Sequence, residues 1–582
     1  MIGQLLSYAY VVLVSLAAGL LILRLGAGQE RLRQLNWCAW GDVLVILGLC
    51  GFGTVLSIWS IWFPLGGWAP HWLGLATIAG GIWSAWPLLR ERPLLGMDGA
   101  WWRVALVILA VFPWPALCFG GGLLHPGHYD SFLYHAQTIM WNEQYAVVPG
   151  LGNLHSRFAF NSSYYLLAAY FGVKMVAGVT LFPLNSFLML LTTLFGAGRM
   201  FRDCRRGAYG QAVFHCILLG LWYKMDIFGS EANTSSPSSD ILPGILAYYA
   251  CLLALKAGDA SWRDFCALAM TIVGAFGVTV KLSILPIAAI PLFAVFSGGW
   301  QRWRTWLLLM AVGALIMVPW VTRNVVLSGW AVYPLKGTAW FHVDWQMPVS
   351  AVDNEHVWIV DQGLVEQGVA KDLIEAHTLK VSQWFPMWVS QLPLGKKTMV
   401  LWALISPLMA LGVWLFRKQE RALAWATLIC WGGTVFSLMS VPNSSFRFGF
   451  GFVFTAAALA AGCVVVLMPR RARVIAGAAA CVGLVALAWG NARSFEMIAE
   501  ARESMAAHRW MPDVKMRHFN TVLKPCVNFY VRLPDPPPGS GLPADWCGQE
   551  PLPCVPYYPP LVEMRGPSLA DGFRMHAVPQ AK

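Results

Sequence analysis

Charge is what this chain has least of. Asp, Glu, Lys and Arg make up 12% of its 582 residues, about half the share found in soluble proteins, and so little charge excludes a set of soluble globular domains. Several motifs are also missing. No zinc-finger spacing, no phosphate-binding P-loop and no G-x-G-x-x-G opening a helix occurs, which removes the common nucleotide-binding and zinc-module readings. Neither an internal repeat nor a long low-complexity tract is present. Most of the 13 cysteines stand singly in apolar runs, among them Cys50, Cys251 and Cys463, where a cysteine behaves as a small hydrophobe. Only Cys526, Cys547 and Cys554 fall in a polar region.

What the chain has in abundance is apolar length. Hydrophobic residues make up 57% of it, mean hydropathy is +0.57, and apolar runs of about 17 to 22 residues recur almost to the end. The class is an all-α polytopic membrane protein. Its expected spans are 4–24, 42–63, 71–89, 102–119, 184–200, 208–226, 241–256, 265–281, 283–298, 304–322, 398–416, 422–440, 449–468 and 474–490, about fourteen crossings. The first run has no preceding Lys or Arg, so it lacks the basic start of a cleaved signal peptide and reads as a retained helix.

A net charge of +12 could suggest nucleic acid, but the basic residues sit in short clusters between spans, and no nucleic-acid partner is expected. The clusters are Arg24, Arg31 and Arg33; Arg90 and Arg92; Arg199, Arg202, Arg205 and Arg206; Lys256 and Arg263; Arg302 and Arg304; Arg417, Lys418 and Arg421; and Arg470, Arg471 and Arg473. Counted through the spans, all fall on one side, which the positive-inside rule makes cytoplasmic. The chain then divides into spans over 1–119, a first outer loop 120–183, spans over 184–322, a second outer loop 323–397, spans over 398–490 and an outer tail 491–582. In the first loop, Tyr164–Val173 is apolar but too short to cross and reads as an interfacial helix. In the second, an amphipathic stretch from Val365 to Val389 ends in Trp384, Phe385 and Trp388, an expected membrane-surface anchor. The tail, with PDPPPGSG and PLPCVPYYPP, reads as a small loop-rich cap. Its three cysteines allow one disulfide, Cys526 with Cys547 or with Cys554, the first pairing being favoured.

Chemistry should lie in the outer loops. The segment HPGHYDSFLYHAQTIMWNEQYAVVPGLGNLHSRFAFNSSYY, residues 125–165, places Asp130, Tyr134, His135, Trp141 and Glu143 at the membrane surface, followed by His155, Arg157 and Asn161. Asp130 and Tyr134 share a face if the segment is helical. A carboxylate flanked by aromatics beside a bilayer is desolvated, which raises its basicity and suits it to general-base work. The plainer alternative is an aspartate capping the helix that begins at Ser131 or Phe132.

An outer loop opening with an aspartate just after a transmembrane helix resembles the GT-C glycosyltransferases. The stretch YHAQTIMWNEQYAVVPGLGNLHSRFAFNSS is similar, more narrowly, to a largely uncharacterised bacterial family of GT-C-like membrane proteins. So are NTSSPSSDILP at 233–243, VKLSILP at 280–286, TRNVVLSGWAVYPL at 322–335 and SFRFGFGF at 445–452; the likeness covers roughly residues 120–455. It implies a bacterial inner-membrane enzyme whose active site faces the periplasm, moving a sugar from a polyprenyl-phosphate carrier to a glycan, lipid or protein acceptor. Asp130 would be the base and Lys281, Arg323 and Arg447 the donor-phosphate ligands. Tyr134, His135, Trp141, Glu143, His155, Arg157, Asn161 and Asp240 would contact substrate. For the three cations the alternative is snorkelling to lipid headgroups, and for Asp240 it is capping of the span that follows.

No cofactor is required by this reading. The residues around Asp130, HYDSF, depart from the D-x-D-like pair of metal-dependent relatives, although Glu143 or the run from Asp226 through Glu231 to Asp240 could add oxygen ligands for a divalent cation. His128, His135 and His155 match no standard zinc spacing. Rival readings are an O-antigen polymerase or ligase, and a flippase or transporter of lipid-linked sugars; the latter predicts mid-membrane charges and two related halves.

Overall fold

The computed structural model describes residues 2–91, 101–177, 180–288, 303–440, 446–507, 519–538, 540 and 542–576. The chain is predominantly α-helical, and among the described residues nine helices are long and apolar enough to cross a membrane: Ile2–Arg33, Trp37–Trp59, Leu184–Arg206, Arg263–Val280, Trp303–Ser328, Leu394–Phe416, Lys418–Ser440, Phe450–Leu467 and Arg470–Trp489. A tenth crossing is available if Trp102–Ala110 and Pro113–Gly121, consecutive helices bent by 74°, count as one. The other expected spans differ. Ala69–Glu91 is a 23-residue helix outside that set. Tyr209–Lys224 and Ile241–Lys256 have 16 residues each, about 24 Å of helix at 1.5 Å per residue, short of a hydrocarbon core of about 30 Å. The span expected over 283–298 lies largely outside the described residues.

Small residues let the helices approach closely, as expected where apolar surface gains nothing by leaving lipid. A side chain at Gly48 would stand 1.7 Å from the Ser15 carbonyl oxygen, so the first two helices touch backbone to backbone. At Gly451 it would stand 2.6 Å from the Gly244 Cα, which draws together the starts of Phe450–Leu467 and Ile241–Lys256. Arg205 and Arg206 end Leu184–Arg206, Lys256 ends Ile241–Lys256, and Arg470, Arg471 and Arg473 follow Phe450–Leu467, so basic residues stand at the C-terminal ends of all three helices. Arg199 departs from its expected place in a loop cluster. It is buried inside its helix, ion-paired to Asp42, whose other oxygen accepts from the Tyr249 hydroxyl at 2.7 Å. Charge is therefore present inside the bundle, held by its own counter-charge.

Of two expected surface segments, one is interior and the other buries the tryptophans of its expected anchor. Every residue of helix Ser163–Phe171 is buried, so this segment is packed within protein and not laid on a bilayer. The Val365–Val389 stretch is broken into Gln362–Glu366, Leu373–Thr378 and Val381–Gln391, and Trp384 and Trp388 are buried, with Trp388 edge-on to Phe446. Amphipathicity marks a face to be covered, and for Trp384 and Trp388 protein covers it, while Ile374, Val381 and Met387 stay exposed.

The tail opens with a helix, Ala492–Ala507, that packs Met497 and Ala501 on Gly120 and Gly121. Two antiparallel ribbons follow, Thr521–Pro525 with Tyr530–Pro534 and Val562–Met564 with Phe573–Met575. The disulfide joins Cys547 to Cys554, whose Cα atoms are 5.8 Å apart. This corrects both expected pairings, because Cys526 lies at the turn of the first ribbon, where its thiol points to the Pro559 carbonyl oxygen at 3.4 Å. Peptide mapping of protein isolated without reductant is expected to yield a Cys547–Cys554 cross-link and a free Cys526 thiol; any cross-linked Cys526 peptide would contradict the pairing.

Candidate functional site

Six charged side chains from five separate segments meet at the loop end of the bundle. Arg447 lies at the centre, with Nη2 on Asp130 Oδ2 and Nε 2.5 Å from Asp240 Oδ2. Lys281 binds the other Asp240 oxygen. Arg157 reaches Asp130 Oδ1 and Glu355 Oε1, both at 3.4 Å, while its guanidinium lies 5.6 Å from the Tyr134 ring centre. Three carboxylates thus face three cations, and the set is neutral.

Local structure explains how each group is presented. Asp130 precedes a π-helical turn, Ser131–His135, and its carboxylate makes no capping bond; such turns recur at functional sites. Asp240 precedes Ile241–Lys256 and likewise caps nothing with its side chain. The capping alternative is therefore set aside at both positions. Lys281 ends Arg263–Val280 by turning extended, and its ammonium stands 4.0 Å from the Phe448 ring centre. Arg447 follows Phe446, a buried residue with φ of 55°. That left-handed conformation is costly for a bulky residue, and packing against Trp388 and Phe454 holds it.

The electrostatics reverse one expectation. Burial pushes the Asp130 carboxyl up, but the Arg447 guanidinium, helped by His135 and His128, outweighs it and brings the value down to about 2. The carboxylate is therefore a weak base while Arg447 holds it. Burial lowers His135 and His155 to about 3, so both imidazoles are neutral near pH 7. His135 stacks on His128 at 5.9 Å behind Asp130, with its Nδ1 unpartnered. All four oxygens of Asp130 and Asp240 face guanidinium or ammonium hydrogens. Such a donor set does not suit a divalent cation, and among the described residues no group of three or more His, Cys, Asp or Glu is arranged to hold one.

Of the residues singled out from sequence, Asp130, Tyr134, His135, Arg157, Asp240, Lys281 and Arg447 share this place. Arg323, Asn161 and Trp141 do not. Arg323 donates to Asn161 Oδ1, Asn142 Oδ1 and Ser60, so snorkelling and the shared-phosphate role both fail for it. His155 lies to the side, edge-on to Phe158 and Tyr557. Glu143 forms a separate buried pair with Lys174 at 3.0 Å and accepts from Thr180 at 2.7 Å. Glu143→Gln is accordingly expected to lower stability by about 1–2 kcal/mol, a buried-pair loss discounted for the part-exposed lysine, while the activity per folded molecule stays within about twofold. A thermal melt combined with an activity assay separates the two effects.

Several participants carried no signal in the sequence. Glu355 in helix Val349–Val360 fixes Arg157 and Ser156, its Oε2 accepting from the Ser156 hydroxyl at 2.6 Å. The tail clamps the π turn itself: the amides of Cys547 and Gly548 donate to the Phe132 carbonyl oxygen at 3.0 and 2.8 Å, and Trp546 stacks on Phe132 at 4.6 Å. The Tyr129 hydroxyl donates to Asp545 at 2.5 Å. These contacts join residues more than 400 positions apart, and the partners in the tail belong to no motif.

Residues 1–454 match the model of a protein family described as a domain of unknown function, DUF8201. The chain belongs to the DUF8201 family. No curated protein and no solved structure matches it. The DUF8201 region contains every member of the ion network, from Asp130 to Arg447, together with Glu355. It stops before Arg470–Trp489 and the disulfide-bearing cap, so in this chain a segment beyond the matched region braces the turn that presents Asp130.

Proposed function

We propose that this chain is a GT-C-type membrane glycosyltransferase of the bacterial inner membrane, moving a sugar from a polyprenyl-phosphate donor to a periplasmic glycan, lipid or protein acceptor with inversion at the anomeric carbon. The observation that carries the reading is the chemistry of one crevice. Its lining combines charged groups, Lys281, Arg447 and Asp240, with apolar ones, Pro243, Gly244, Ala247, Ile284, Phe450 and Phe452; the free space is about 10 Å³, so a phosphate enters only by parting the ion pairs that fill it. A phosphate bearing an isoprenoid tail combines the same two chemistries. The topology behind the proposal adds to the nine long helices the bent pair, Ala69–Glu91, the two 16-residue helices and the 283–298 segment as crossings, making fourteen, and puts the basic clusters in the cytoplasm and the network outside.

The balanced charge of the network suggests how the donor engages. An incoming phosphate anion competes with Asp130 and Asp240 for Arg447 and Lys281, using the bidentate guanidinium and the point charge of the ammonium. Once Arg447 turns to the phosphate, Asp130 loses its principal counter-charge while remaining buried, and its basicity rises toward what general-base work requires. Asp130 then takes the proton of an acceptor hydroxyl. The oxygen attacks the anomeric carbon, the bond from that carbon to the phosphate oxygen breaks, and the charge on the departing lipid phosphate is stabilised by Arg447 and Lys281 more strongly than in the ground state. Arg157, held by Glu355, keeps Asp130 oriented throughout.

The reading is tested with purified protein in lipid nanodiscs, a panel of polyprenyl-phosphate sugars and a membrane extract as acceptor source. Release of polyprenyl phosphate that depends on both donor and acceptor is the expected result. Tight donor binding with no release under any combination would remove the transferase reading.

A further inference from the structure

Arg323 occupies a different position from the other cations. It is 3% exposed, and its Nε donates to Asn161 Oδ1 at 3.1 Å, its Nη1 to the Ser60 carbonyl and hydroxyl oxygens at 3.2 and 2.7 Å, and its Nη2 to Asn142 Oδ1 at 2.8 Å. Those bonds use four of the five guanidinium hydrogens. Every acceptor is neutral. Among the described residues no carboxylate lies within ion-pair distance of Arg323; Glu143, next to Asn142 in the chain, is bound to Lys174 and Thr180. A buried charge without a counter-charge is unfavourable unless something supplies one.

The guanidinium lines a cavity of about 20 Å³ together with Trp141, Asn142, Asn161 and Tyr165. Trp141 is 2% exposed and its indole N–H has no acceptor. One amide hydrogen of Asn142 and one of Asn161 are directed elsewhere, to the carbonyl oxygens of Thr138 and Trp320, each at 2.8 Å, which leaves one hydrogen on each amide. The residues lining the cavity are left with one positive charge, a spare guanidinium hydrogen, an indole hydrogen and one hydrogen on each Asn amide, and no negative charge to meet them. A water molecule would accept from the donors but bring no charge. The volume is little more than one water requires, too small for a phosphate or a sugar.

We infer that this cavity is a binding site for a single small monovalent anion of halide size, held by Arg323 and Trp141. The anion neutralises the guanidinium and completes a junction between the end of Trp37–Trp59, helix Ala136–Gln144 and helix Trp303–Ser328. The junction backs onto the ion network through Tyr165, which lines the cavity and stands 5.4 Å from His135. The assignment does not depend on the transferase reading.

Equilibrium dialysis of the full chain in nanodiscs, in gluconate buffer with radioactive chloride, reads the site directly. One saturable site per chain is expected, displaced by bromide and not by phosphate, with the melting temperature rising as chloride is added. Arg323→Gln should abolish saturable binding. Should that variant fail to fold, Trp141→Phe decides, since it keeps an aromatic ring, removes one donor and should weaken binding about tenfold. Arg447→Gln should bind chloride like the unaltered chain. Absence of saturable binding, binding indifferent to both Trp141→Phe and Arg323→Gln, or binding lost only in Arg447→Gln would each overturn the assignment.

Discussion

Asp130→Asn is expected to reduce sugar transfer at least about 100-fold, the usual cost of losing a positioned general base, while the protein still folds. The amide matches the carboxylate in size, and Asp240 keeps both Arg447 and Lys281 in place. What disappears is the ability to take a proton. The measurement is donor-dependent release of polyprenyl phosphate alongside a thermal melt. Activity within about threefold of the unaltered chain would remove Asp130 from the chemistry; a collapsed melt would instead make it a structural ligand of Arg447.

Arg447→Gln is expected to lower transfer by about 100- to 1000-fold, as the loss of a principal donor to a developing oxyanion does, and to move the pH dependence as well. With Arg447 present the free Asp130 carboxyl lies at about 2, so the acid limb of kcat/KM, which reports the free enzyme, falls below the working range and the profile is flat from about pH 4 upward. Removing the guanidinium deletes the main influence that lowers Asp130 and leaves burial, which raises it, with Asp240 unscreened close by. Protonation then begins at higher pH. The acid limb should therefore appear and move upward, so that the variant loses its residual activity on acidification well before the unaltered chain does. Loss of activity with an unmoved limb would show that Arg447 does not control the charge on Asp130.

How much of this was legible in the sequence depends on the range of the interaction. Hydrophobic run length is local, so membrane class, helical class and most long helices followed from it, and the alternation of basic clusters with apolar runs placed the long loops at one end. Lys281 and Arg447 stood out because the positive-inside rule leaves few cations at the outer ends of spans, and Asp130 and Asp240 because a chain with so little charge places few carboxylates there. Neither run length nor motif could say which of the cations meet. Arg447 bridges two aspartates because Gly451 and Gly244 allow their helices to touch, whereas Arg323, equally prominent in sequence, points to neutral oxygens around a different cavity.

Patterns of amphipathicity told that a face needed covering, and only the tertiary structure decided what covers it: protein, for Ser163–Phe171 and for Trp384 and Trp388. The basicity of Asp130 went the same way. Sequence gives its aromatic neighbours and hence its desolvation, but the net direction is set by a guanidinium 317 residues away. Composition and periodicity record what each segment must bury, while the pairing of charges depends on distances of a few ångströms between segments remote in the chain, and those distances exist only after the helices have packed.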